Sequence, residues 1–403
     1  MTDVHDVAAV PGHARFEPGG AQTNGNSFAP APRTPRVRTP RRPRELTGTD
    51  IMTMIGSLLS AICLTWLVFG VLTDGIGWLG FGVAVFATFL TLLWIVTADR
   101  LGSTAASDRV ATAVVMVSAF VILIPLLWLI TFVVTRGWSA LSAHFFVRDQ
   151  RGITPVMPAS AGGASHAIVG TLQQVGLALM WSLPLGLLAA IFLNESRSRW
   201  RRPVRIVVDA MSGLPSIVAG LFIYAVFVLP YAKKIPLFSF NGFMASLALA
   251  LIMLPTITRT VEVVLRLVPD GLREASLAMG SSRARTVWSV VLPTARTGMT
   301  TAVVLGIARA VGETAPLLFT AFGYDLMNSN PFNGAQEALP LFVYRNIRKP
   351  DASAVDRGFA GALVLMVLVL GLFMLARFVG RDRSRRKRRR SAVRSYLQEA
   401  SAT

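Results

Sequence analysis

Along the chain, long apolar runs alternate with short intervals rich in arginine. Eight runs reach the length of about 20 residues that a bilayer requires: 51–73, 76–97, 110–134, 167–193, 206–229, 242–265, 298–321 and 358–380. The pattern predicts an all-α, polytopic membrane protein with about eight transmembrane helices. A tight LTDGIG joins the first two runs, which predicts a helical hairpin over 49–100. Residues 1–48 are rich in Pro, Gly, Ala, Thr and Arg and lack apolar periodicity, so they predict a disordered cytoplasmic extension. The first apolar run begins only at Ile51, and no signal peptide is expected.

Composition agrees with a membrane location. Of 403 residues 53% are hydrophobic and 15% charged, with a mean hydropathy of +0.55, which leaves too little polar cover for a soluble protein of this size. The net charge of +19 would fit a nucleic-acid partner, but its placement argues otherwise. Arginines crowd 33–44, 197–205, 266–296 and 381–394, all beside apolar runs. That is the bias of cytoplasmic loops, and it predicts both termini in the cytoplasm. Connections 98–109, 194–205 and 266–297 then lie inside, and 135–166, 230–241 and 322–357 outside. The tail, 381–403, carries RDRSRRKRRR, suited to anionic lipid headgroups. No nucleic acid is expected as partner. Cys63 is the only cysteine, which excludes an internal disulfide, and His5, His13, His144 and His166 show no ligand spacing, so no metal site is expected. The absence of a visible internal repeat weighs against a secondary carrier.

The segment VPDGLREASLAMGSSRARTVWSVVLPTA, 268–295, interrupts two apolar runs on the expected inner side. Pro269 is expected to end the preceding span, Asp270 to N-cap a short helix through Met279 and Gly280 to end it, and a second helical piece is expected from Arg283 to Val291, stopped by Pro293. Ala275, Ser276 and Ala278 keep the first helix slim. The spacing of Glu274, Ala275 and Ser276, then Gly280, then Leu292-Pro293, resembles the EAA loop of ABC importer permeases, with Ser276 and Val290 as mild departures. The resemblance implies a type I importer permease core over 110–380, and a loop that docks on a separate ATPase. The chain's four lysines (Lys233, Lys234, Lys349, Lys387) follow no glycine, so it carries no G-K-[ST] phosphate loop.

Three further segments resemble phosphate importer permeases of the PstA type: MSGLPSIVAGLF (211–222), RAVGETAPLLFTA (309–321) and EALPLFVY (337–344). The family typically has six spans, so the first hairpin lies outside the likeness. The resemblance implies partners: a homologous permease of the PstC type, an ATPase dimer of the PstB type, an external phosphate-binding protein and membrane lipids. No cofactor is expected on this chain, with ATP and Mg on the partner ATPase. Arg309 and Glu313 stand four apart inside an apolar run, one helical turn, where an unpaired charge is costly. Two readings stay open: a structural ion pair, or a pair lining the translocation path, where a guanidinium suits bidentate contact with phosphate. The resemblance favours the second and adds Arg259 as a gating candidate. Asp209 is expected to cap its helix or pair with Arg205. A permease for another oxyanion (sulfate, molybdate), a channel or carrier, and a membrane enzyme are the alternatives; the last lacks any catalytic constellation.

Overall fold

The computed structural model describes residues 48–72 and 77–380. The bulk of the expected disordered extension (1–47), the centre of the first turn (73–76) and the basic tail (381–403) lie outside the described residues. The chain forms two compact units that divide within one long helix, between Met116 and Val117.

In the first unit, α1 (Gly48–Trp66) continues through a π-helical turn, Leu67–Val71, and packs against α2 (Trp78–Leu101). The opening turns of α3 (Ser103–Ala140) join them. Ala61, Phe89, Leu93 and Ala113 form a small core, and Arg109 of α3 pairs with Asp50 of α1. That pair and Ala113 are the reason the unit runs on past the hairpin itself.

In the second unit, α4 (Ser165–Glu195) is followed by α5 (Arg201–Ser212), α6 (Ser216–Ile223) and the single turn α7 (Leu229–Tyr231), linked to α6 by a π-helical turn. Then come α8 (Gly242–Arg266), α9 (Asp270–Ala278), α10 (Arg283–Thr286), α11 (Leu292–Val311), α12 (Ala315–Thr320), α13 (Leu339–Ile347) and α14 (Ala352–Val379). One isolated bridge, Phe322 with Gln336, is the only extended pairing among the described residues. Helix α8 is the axis of the unit. Every fourth residue from Ala245 through Leu249, Met253, Ile257 and Val261 to Leu265 is buried, against α4 on one side and α11 on the other. Ile257 sits between two glycines: a Cβ on Gly186 of α4 would come within 3.0 Å of it, and one on Gly306 of α11 within 2.8 Å. Small residues at such crossings let backbones approach, the usual packing of helices in lipid.

Among the described residues, seven helices are long and apolar enough to cross a membrane, and an eighth crossing arises if α5 with α6–α7 counts as one. Most residues on these helices' outer faces are large and apolar, as lipid or a second membrane subunit requires. The structure corrects three expectations. The fifth span, 206–229, is not straight: α5 and α6–α7 meet at 107°. Pro215 caps α6 and cannot continue α5, and α5 is strongly two-faced, charged on one side, unlike a lipid-buried segment. The seventh span does not run through 298–321: α11 ends at Val311, and α12 begins at Ala315 beyond Gly312 and before Pro316. Finally, Pro293 does not stop the piece that starts at Arg283. Helix runs from Arg283 to Val311 because a π-helical turn, Val287–Val291, absorbs the missing N–H donor.

Candidate functional site

The loop after α8 is built tightly. Pro269 takes the N-cap position and Asp270 is already the first residue of α9, so Asp270 does not cap the helix as expected; Met279 and Gly280 end it, and Gly280 has φ +82°, where any Cβ is strained. Ser282 then opens α10, its side chain accepting from the Arg285 N–H at 3.3 Å. Helix α9 has two faces. Glu274, Ala275, Ala278 and Met279 are exposed, with Met279 at 86%. Arg273 and Ser276 point back to the protein: Ser276 Oγ meets Thr286 Oγ1 at 3.0 Å, tying α9 to α10. Arg273 donates to the carbonyls of Leu265 and Val268 (both 2.8 Å), to Asp270 (2.8 Å) and to Glu195 at the end of α4 (3.2 Å). One guanidinium thus clamps the loop to two spans. Sequence reading missed Arg273 and Glu195; the i,i+3 spacing of Asp270 and Arg273 was the only local signal. Leu292 is buried at the start of α11, with Pro293 in its first turn.

Above this loop lies an ion cluster. Glu262 of α8 is 2% exposed and receives Arg205 of α5 (2.5 Å), Arg259 (2.8 Å) and Arg266 (2.5 Å). Arg259 also pairs with Asp209 of α5, so Asp209 finds Arg259 rather than Arg205. Three guanidiniums on one buried carboxylate fasten the amphipathic α5 to α8.

Arg309 and Glu313 stand elsewhere. The break at Gly312 leaves Arg309 in the last turn of α11 and Glu313 in the link to α12, so they no longer share a continuous helical face. They form no ion pair with each other, and neither has a charged partner among the described residues. Gly306 lies against Ile257 and Met253, close to the middle of α8. Arg309 therefore sits about 4.5 Å beyond mid-span, exposed on this chain's surface, with Glu313 half-buried.

At the end of α4 far from α9, a polar layer closes the loop after α12. Gln174 donates to Gln336 Oε1 (3.1 Å) and to the Glu337 carbonyl (3.2 Å), and Thr171 accepts from the Leu339 N–H (2.7 Å). Glu337 is buried and meets Arg345 at 2.5 Å, while Arg345 also reaches Asp325 at 3.3 Å. Burial pushes the Glu337 carboxyl up to about 7 against the pull of Arg345. Glu337 and Leu339 lie in the EALPLFVY segment, but the sequence assigned a role to none of these residues.

This arrangement, a bundle around α8 with a clamped two-helix loop at one end, belongs to a known class. Residues 182–387 match the family of binding-protein-dependent transport system inner membrane components, and the chain belongs to that family: it is a multi-pass permease subunit of the ABC transporter class. Within the class its similarity is to PstA-type permeases. It is 38% identical over 283 residues to the phosphate transport system permease protein PstA 1 of Mycobacterium tuberculosis, covering 70% of this chain and 90% of that one. It is 34% identical over 254 residues to the PstA of Pasteurella multocida, covering 62% and 86%. Among solved structures it is similar to a bacterial alginate ABC transporter in complex with an alginate pentasaccharide-bound periplasmic protein (TM-score 0.49, 16% identity, 70% of this chain and 97% of that one). It is also similar to the inward-facing methionine ABC transporter MetNI (TM-score 0.38, 22% identity, 53% and 89%).

Proposed function

We propose that this chain is the PstA-type permease of an ATP-driven phosphate importer, working by alternating access beside a PstC-type sister permease. The observation that carries the reading is Arg309. A guanidinium near mid-span, exposed and without a carboxylate, is too costly to face lipid, so it faces a sister subunit or a water-filled path. Such a path needs a cationic group to meet a mono- or dianion, and a free guanidinium offers a bidentate fork to phosphate oxygens. Glu313, one step past the helix break, is placed to accept a proton or to hold Arg309 between transport events. The PstA names of the relatives support phosphate over sulfate or molybdate.

Energy enters through the loop. The exposed face of α9, with Glu274, Ala275 and Ala278, docks on a PstB-type ATPase dimer that carries ATP and Mg, and a phosphate-binding protein delivers cargo to the opposite side. Arg273 passes the movement of α9 to α4 and α8, and Ser276 passes it to α10 and so to Leu292 and Pro293 at the foot of α11. Arg259, held between Asp209 and Glu262, would gate the inner end by fastening or releasing α5.

The test is labelled-phosphate uptake in cells lacking this chain and any other phosphate importer, complemented with wild type or Arg309→Ala at matched membrane levels. Wild type is expected to restore uptake that excess sulfate does not suppress, and Arg309→Ala to lower it at least tenfold. Uptake unaffected by the substitution would remove Arg309 from the path. Failure of wild type to restore uptake would remove phosphate as the cargo.

A further inference from the structure

A cavity of about 960 Å³ opens where α4 ends, between the α4–α5 link, α5, the end of α8, α9 and α10. Each of these five segments sends one arginine to its wall: Arg197, Arg201, Arg266, Arg273 and Arg283. Two are satisfied, Arg266 by Glu262 and Arg273 by Glu195 and Asp270. Arg197, Arg201 and Arg283 have no charged partner among the described residues. The carboxylates on the wall, Glu195 and Asp270, are both held by Arg273. The cavity therefore keeps three uncompensated guanidiniums.

One side of the cavity is apolar, formed by Leu188, Ile191 and Phe192 of α4, while Asn194, Ser196 and Thr286 add neutral polar groups elsewhere on the wall. The apolar side continues along the same helix as an exposed stripe at helical spacing: Leu188 is 55% exposed, Leu185 52% and Trp181 40%. A ligand that fits both features has an anionic head and an apolar body lying along a membrane helix. A free anion would satisfy the arginines and leave the stripe unused.

We propose that this cavity binds the headgroup of an anionic phospholipid, its phosphate among Arg197, Arg201 and Arg283 and its acyl chains along Trp181, Leu185 and Leu188. Basic pockets between spans are the usual receptors for such headgroups. The site takes Asp270, Arg273 and Leu277 from α9 and leaves Glu274, Ala275 and Ala278 outside its lining, so occupancy does not use those three residues. A headgroup there cross-links the end of α4, α5 and α10, and stiffens the ground on which α9 pivots. Headgroup binding at this cavity does not depend on which solute the chain transports.

The test uses the purified full chain in neutral detergent, titrated with phosphatidylglycerol, with phosphatidylcholine, or with inorganic phosphate, and read by native mass spectrometry and thermal unfolding. Wild type is expected to retain phosphatidylglycerol at least tenfold more strongly than phosphatidylcholine and to gain thermal stability only with the former. Replacing arginine by glutamine at 197, 201 and 283 should weaken retention about five-fold for each arginine removed. Lysine at the same three positions should keep most of it, and Arg283→Gln alone provides the smaller step if the triple variant unfolds. Arg148→Gln with Arg151→Gln, in the exposed loop before α4, removes two arginines away from the cavity as the control and should change nothing. Equal retention of the two lipids overturns the proposal, as does an equal loss in the control. Inorganic phosphate that reproduces the thermal gain or displaces the lipid assigns the cavity to a free anion and overturns the lipid assignment.

Discussion

Glu337 shows how much one residue's chemistry depends on its cover. The unfolded carboxyl titrates near its ordinary 4.5, whereas burial holds the folded one near 7 despite Arg345. Between those values the folded chain keeps a proton that the unfolded chain has lost, so stability falls as pH rises through that window and is fully present below it. The thermal midpoint of the purified chain is expected to drop from pH 5 to pH 8, and Glu337→Gln to flatten that portion of the profile. A slope unchanged in Glu337→Gln would assign it to another group. In the sequence Glu337 opens the segment EALPLFVY and reads as an ordinary loop acid. Its burial comes from Gly170, Thr171 and Gln174 of α4, some 163 residues earlier, and no local pattern carries that. Arg273 is the same lesson at the opposite end of α4. Arg309 is the converse: its oddity was plain in the sequence, because a charge in an apolar run stands out wherever the run folds.

Among the elements, helix starts and stops were legible where the stop signal acts locally. Gly280 ends α9 because the chain must pass through positive φ there to turn toward α10. Gly280→Val is expected to destabilise the chain by about 1–2 kcal/mol and to speed tryptic cleavage at Arg283 and Arg285. Gly271→Ala, inside α9 with nothing within 4 Å of the added Cβ, should stabilise slightly, by about 0.5–1 kcal/mol. Equal effects of the two substitutions on the thermal midpoint would refute the turn as their cause. Proline was less readable than glycine. Pro215 turns a span through 107° while Pro293 is absorbed by a π-helical turn inside a continuous helix. The difference lies in neighbours: α5 has a charged face that Glu262 captures, whereas the residues before Pro293 are held on the core by Val287, Val291 and Leu292.

At the scale of the molecule, the spans and the clustering of arginine predict a chain with both termini in the cytoplasm and the polar layer of Glu337 outside. Cys63 is exposed, so the test begins from Cys63→Ser. In that background Asn333→Cys, on the exposed loop after α12, should react with an impermeant maleimide in intact cells, and Arg285→Cys only after permeabilisation. The opposite labelling would invert the molecule and place α9 on the wrong side for any ATPase. The sequence by itself determined the helical class, the position of most spans and the loop at 268–295. Those features are local: in lipid each segment must satisfy its own backbone, and each carries its own apolar run and its own capping residues. Only the tertiary structure decided that Arg273 clamps two spans, that Glu262 gathers three arginines, that Arg309 stands without a carboxylate, and that five arginines surround one cavity. Each of those outcomes depends on side chains brought together from separate elements, and the balance between burial and charge pairing has no value until the partners meet.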